Sequence, residues 1–172
     1  MKLLDSLAKM TARFQPKPIT DAAGLAEFID GNAAFLAQKT LYEYSRARAG
    51  TNWDKLFKEE EFRDAVERGR WEAYAAVLPD VAEMVHAYLR TAPEADACTL
   101  AQTLSAMVQR DILPRHPVPS HLESWDGVAK AVADRLTEAA GNPPRLAHEI
   151  AMEGARPVYD ALPIHSNHTG HD

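Results

Sequence analysis

The sequence predicts an all-α protein, a single-domain bundle of about six helices built on a long antiparallel helical hairpin. Three observations predict it. Ala, Leu, Glu and Arg dominate, glycines number only 8, and β-branched runs are absent, a composition that favours helix. Apolar residues recur at steps of three and four rather than in alternation. Prolines and Ser/Thr-x-x-Glu patterns punctuate the chain where helices should start and stop.

In the first segment, Leu3, Leu7, Met10 and Phe14 recur at helical spacing among Lys2, Lys9 and Arg13, and Pro16 and Pro18 end it. Thr20 is the expected N-cap of a second helix over 21–49. On it Phe28, Phe35 and Tyr42 share one face with Leu25, Ile29 and Leu36 beside them, and Gly50 is its stop. Trp53, Leu56 and Phe57 read as one helical turn that plugs the core. The third helix is expected over 59–90, with Trp71, Tyr74, Leu78, Val81, Val85 and Tyr88 as a heptad-like seam, internal or pairing two subunits. Gly69 and Ala73 allow a close approach, and Pro79 should kink the helix. Two helices of this length, on the order of 40 Å each, would make the hairpin.

Thr91 and Glu94 form a capping box for the fourth helix, which buries Leu100, Leu104 and Met107 and ends before Pro114. After the proline-rich stretch LPRHPVPSH, Ser120 and Glu123 form a second box. The fifth helix turns Trp125, Val128, Val132, Leu136 and Ala139 inward and stops at Gly141. Asn142, Pro143 and Pro144 open a last helix bearing Leu146, Ile150 and Gly154, which Pro157 kinks or ends. Residues 1–163 then make one helical domain, and 164–172 a flexible, histidine-containing tail.

With 46% hydrophobic and 26% charged residues, the 172-residue chain has the balance of an ordinary globular protein. Its net charge of −6 argues against a nucleic-acid partner, because phosphate binding needs clustered cations. No apolar stretch approaches the ~20 residues of a membrane span. Asp5 and Lys9 interrupt any signal-peptide core. The single cysteine, Cys98, fits a reducing compartment, so a cytoplasmic location is expected.

FQPKPI, FIDGNAAFLAQKTLYEYSRARAGTNWDKLF and FRDAVERGRWEAYAAVLPDV, spanning about residues 14–81, resemble a family of small, uncharacterised proteobacterial proteins, some of whose members carry the label esterase. The resemblance implies a helical bacterial protein. Esterase chemistry of the common fold needs a serine on a Gly-x-Ser-x-Gly elbow. None of Ser6, Ser45, Ser105, Ser120, Ser124 and Ser166 lies between glycines, so no nucleophile is named.

His165, His168 and His171 stand at a spacing of three in the tail and could wrap a transition metal. Their Ser, Asn, Thr and Gly neighbours favour a solvated strand instead, so no cofactor is expected. Glu83 and His86 make half of a di-iron Glu-x-x-His motif, of which only one copy exists. With Arg90 they fall opposite Val81, Val85 and Tyr88, hence in water. His148 and Glu149 are adjacent and cannot clamp one ion alone. His116 and His121 are read as polar loop residues without partners, and Cys98 as a small buried hydrophobe.

The richest surface candidate is LYEYSRARAGTNW, where Tyr42, Tyr44, Arg46, Arg48 and Trp53 concentrate residue types enriched in binding hot spots. The arginines also complement the negative end of the helix dipole. Residues 2–14 could dock on a partner, fold back on the bundle or, least favoured, touch a membrane surface. The reading is a non-enzymatic helical interaction module: an adaptor, assembly factor or accessory subunit whose partner is another protein or a second copy. The alternative is a small metal- or ligand-binding protein with a pocket inside the bundle, with or without esterase-like hydrolase activity.

Overall fold

A computed structural model of the chain describes residues 18–49, 55, 57–160 and 162. Five α-helices and no strand occur among them: α1 (Ala22–Ala49), α2 (Glu60–Leu89), α3 (Ala97–Met107), α4 (Asp126–Gly141) and α5 (Ala147–Asp160). The expected all-α class holds. The first expected helix, over 2–14, lies outside the described residues, as do Trp53, Leu56 and the tail.

Local chemistry sets the helix starts, in four cases at a different residue from the one expected, α5 among them, which begins at Ala147 rather than at Asn142, Pro143 and Pro144. Thr20 does not cap α1; Asp21 does, its Oδ1 accepting the amide of Gly24 at 2.7 Å. A carboxylate there satisfies an orphan amide and also complements the positive end of the dipole. The Thr91/Glu94 box does not open α3. Thr91 instead donates its hydroxyl back to the Tyr88 carbonyl, and Asp96 caps α3 by accepting from the Thr99 amide at 2.8 Å. The Ser120/Glu123 box is likewise unused, because α4 starts only at Asp126. At its far end α3 runs on through a π turn (Val108–Ile112) and a 3₁₀ turn (Leu113–Arg115). Pro114, lacking an amide donor, sits in the latter.

α1 meets α2 through small side chains. Ala26, Ile29, Ala33, Ala37 and Leu41 recur at helical spacing and are buried, opposite α2, which buries Gly69 and Ala73. Small residues on both sides let the two helices approach closely. The aromatic row expected to share the apolar face is therefore turned out: Phe28, Phe35 and Tyr42 are exposed, Phe35 by 58%.

α2 is the centre of the fold. From Val77 to Glu83 every residue is buried, because neighbours cover it on more than one side. The seam residues Tyr74, Leu78, Val81 and Val85 join a core shared with α1, α3, the π turn and α4. Tyr88, at 75% exposure, leaves the seam. α4 contributes Val128, Val132 and Leu136, with Trp125 buried just ahead of it and Ala139 only partly covered. Cys98 is exposed, not buried, since the buried face of α3 runs through Ala101, Leu104 and Met107 instead.

α5 buries only Ile150 and Gly154, one helical turn apart. A side chain at 154 has no room: an added Cβ would stand 1.7 Å from Oδ2 of Asp80 on α2. Gly154→Ala should thus lower stability, because overpacking costs about 1–3 kcal/mol and outweighs a gain of up to about 1 kcal/mol in helix propensity. Gly127→Ala, where nothing lies within 4 Å, should leave stability unchanged or raise it. Chemical denaturation of the two variants checks the contrast.

Candidate functional site

Glu83, His86 and Arg90 follow one stripe of α2, three and four residues apart. Amphipathicity alone assigns that stripe to water, and the structure overturns the assignment. Glu83 keeps 2% of its surface exposed and His86 0%, and Arg90 is half-buried. The covering elements are α4 and the connector leading into α5.

A buried carboxylate needs compensation from charge and hydrogen bonds, and Glu83 has both. Arg145, in the connector, grips it in bidentate fashion, Nε to Oε1 at 2.8 Å and Nη2 to Oε2 at 2.7 Å. Arg135 of α4 donates to Oε2 at 3.1 Å. Glu153 of α5 completes the cluster, 2.6 Å from Arg145 and 3.3 Å from Arg135. Asp80, one turn before Glu83, stands 3.4 Å from Arg135. One ionic cluster thus ties together α2, α4, α5 and the connector.

The cluster perturbs its own members. Burial pushes the Asp80 carboxyl up to about 6, opposed by Arg135 and reinforced by Glu83 and Glu153. Hydrogen bonds to Glu83 and Glu153 raise the Arg145 guanidinium further. Arg145 in turn holds Glu153 below the usual carboxylate range.

Beside this cluster His86 Nε2 lies 3.0 Å from the Ala97 carbonyl. A carbonyl only accepts, so Nε2 carries a proton, and Nδ1 is left as the ring's second hydrogen-bonding atom. That atom is buried and has no hydrogen-bond partner. Arg90 donates through Nη1 to the carbonyls of Ala139 and Asn142 at 2.7 and 2.9 Å, which caps the C-terminal end of α4. No carboxylate among the described residues forms an ion pair with Arg90.

These side chains line a cleft of about 320 Å³ between α2, α4 and the connector, with Glu83, His86, Arg90, Arg135 and Arg145 as its polar wall. Ala87, Ala139, Pro143 and Pro144 supply apolar wall, and Glu138 and Asn142 complete the lining. No serine, threonine or cysteine stands among these lining residues; the polar groups the cleft presents are carboxylates, guanidiniums, an imidazole and an amide.

Tyr42 and Tyr44, two residues apart on α1, point in different directions, Tyr42 toward the Phe57 ring and Tyr44 toward the Tyr159 ring of α5. Arg46 is exposed. The Arg48 side chain and Trp53 lie outside the described residues, as do His165, His168 and His171. Among the described residues no three His, Cys, Asp or Glu side chains are grouped to hold a metal. No helix among them is long and apolar enough to cross a membrane.

His116 has the partners its loop setting did not suggest. Its Nε2 lies 2.8 Å from Asp30 Oδ1 of α1, which also accepts from the Tyr74 hydroxyl at 2.8 Å. The Trp71, Tyr74 and Trp125 rings meet the imidazole or one another edge-on. This knot fastens the stretch before α4 onto the α1–α2 pair. Burial raises the Tyr74 hydroxyl well above its usual value, and the bond to Asp30 adds to the effect.

No family model, curated protein or solved structure matches the chain, and the functional reading rests on the geometry.

The raised Asp80 carboxyl has a definite consequence. The folded chain holds this proton more tightly than an unfolded one, so the contribution is present below about pH 4 and is lost as pH rises through about 6. Asp80→Asn, which stays neutral, should gain stability relative to the parent between pH 4 and pH 7. Paired thermal melts across that range check it.

Proposed function

We propose that the protein binds a small organic anion in the cleft between α2, α4 and the connector, the ligand bearing a carboxylate or phosphate and a hydroxyl or acid proton. The observation that supports this most is Arg90. It is fixed by two carbonyls and has no carboxylate partner among the described residues, and it shares a wall with a buried histidine whose Nδ1 has no hydrogen-bond partner. Guanidinium forks suit carboxylates and phosphates. A ligand hydroxyl at the floor of the cleft would satisfy the orphaned Nδ1, whose isolation costs about 1–3 kcal/mol. Glu83, Arg135 and Arg145 hold the walls apart and act as positioning residues. A cytoplasmic location fits this reading and belongs to the proposal.

The interaction-module reading (adaptor, assembly factor or accessory subunit) is favoured by a separate observation, the exposed aromatic row of α1. Asp30 meets Tyr74, and the Tyr42, Phe57 and Phe62 rings follow one another. We read that order of contacts as an antiparallel hairpin of α1 and α2, with Phe28 and Phe35 on its outer side and Tyr42 at its margin.

Binding is tested by NMR on histidine-¹⁵N-labelled protein, with inorganic phosphate and a panel of short hydroxy acids added to millimolar concentration. The His86 Nδ1 resonance should shift with at least one of them, and Arg90→Gln should abolish the shift while helicity by circular dichroism is kept. A His86 resonance unmoved by every member of the panel would count against the cleft as an anion site.

A further inference from the structure

The outer face of α1 carries an exposed aromatic row, of which only Tyr42 also meets a ring of its own chain, Phe57, edge-on. With Phe35 as origin, Phe28 and Tyr42 lie seven residues to either side and within about 20° of the same line down the helix. All three are exposed. Gly31 sits between Phe28 and Phe35 on this face with nothing within 4 Å of an added Cβ. Asn32 and Gln38 flank Phe35, and Lys39 lies over its ring at 5.7 Å. Asp21 stands at the N-terminal end of the row, and Lys39 and Arg46 in its C-terminal half.

We infer that this face is a self-association surface that takes a second copy of the chain, with the two α1 helices antiparallel about a twofold axis at Phe35. The inference rests on the row alone and is independent of the cleft.

Two properties select that occupant. The first is symmetry: a twofold interface must complement itself, and a central aromatic with one aromatic seven residues away on each side does so. Phe35 then meets its own copy, and each Phe28 meets a Tyr42. The glycine gap at Gly31 comes to face Lys39, giving its long stem room beside the backbone. The second is charge. Antiparallel pairing brings the Arg46 end of one helix toward the Asp21 end of the other and opposes the helix dipoles favourably. Parallel pairing would set Lys39 against Lys39 and Arg46 against Arg46.

Sedimentation of the full chain is the first test. The protein should be a concentration-dependent dimer, and Phe35→Glu, which brings two carboxylates together at the axis, should weaken it by about a hundredfold or more with helicity unchanged. The second test reads register even if that variant folds poorly. In a Cys98→Ser background, Phe35→Cys should cross-link to itself on mild oxidation. Phe28→Cys alone should not, because its two copies would stand about 21 Å apart along the axis, far beyond disulfide reach. A mixture of Phe28→Cys and Tyr42→Cys should cross-link. A monomer at every concentration would overturn the proposal and leave the row to residues 2–14 or to another protein. A dimer indifferent to Phe35→Glu, or one that cross-links Phe28→Cys to itself, would overturn it as well.

Discussion

Glu83 is a carboxylate with almost no surface left in water, and the arrangement of the second half of the chain depends on what neutralises it. Removing such a group from solvent costs several kcal/mol, and only well-placed countercharges offset it. The two that do so come from α4 and from the connector, 52 and 62 residues further on. Their bonds fix where α4 crosses α2 and how the chain turns into α5. Glu153 and Asp80 extend the same cluster, and Gly154 admits Asp80 because it has no side chain to obstruct it.

The cleft follows from that clamp. With Arg135 and Arg145 drawn onto Glu83, α2, α4 and the connector enclose a space lined by charged side chains together with alanines and prolines of the same elements. His86 and Arg90 enter it because they continue the Glu83 stripe. Glu83, on which the clamp closes, and the residues that would meet a ligand therefore share one face of α2. At the middle of α2, Asp30, Tyr74 and His116 make a second polar fastening, which secures the proline-rich stretch ahead of α4.

Much of the fold was legible in the sequence because helical periodicity is local. The α2 seam from Tyr74 to Val85, the inward residues of α4, and Ile150 with Gly154 on α5 fall where steps of three and four put them. The failures of burial share one cause: they turn on partners far along the chain. The Glu83 stripe looks solvated when α2 is assumed to bury one face, and nothing near it in sequence announces Arg135 or Arg145. α1 has two apolar faces, and hydrophobicity alone favours the aromatic one. The alanine face wins because Gly69 and Ala73 on α2 reward close approach. The helix starts were misjudged where two cap signals compete, Thr20 beside Asp21 and Thr91 ahead of Asp96, and in both the carboxylate takes the amide.

The central claim is that Glu83 and its arginines act as one clamp, and a double-mutant cycle addresses it most directly. Glu83→Gln, Arg145→Gln and the double variant would be compared with the parent by chemical denaturation. A clamp predicts strong non-additivity: each single change leaves a charge buried without its partner, and the second change relieves part of that cost, for a coupling above about 1 kcal/mol. Costs that add to within about 0.5 kcal/mol would mean that the two side chains act independently, and the account of how α4, α5 and the cleft are held in place would fail.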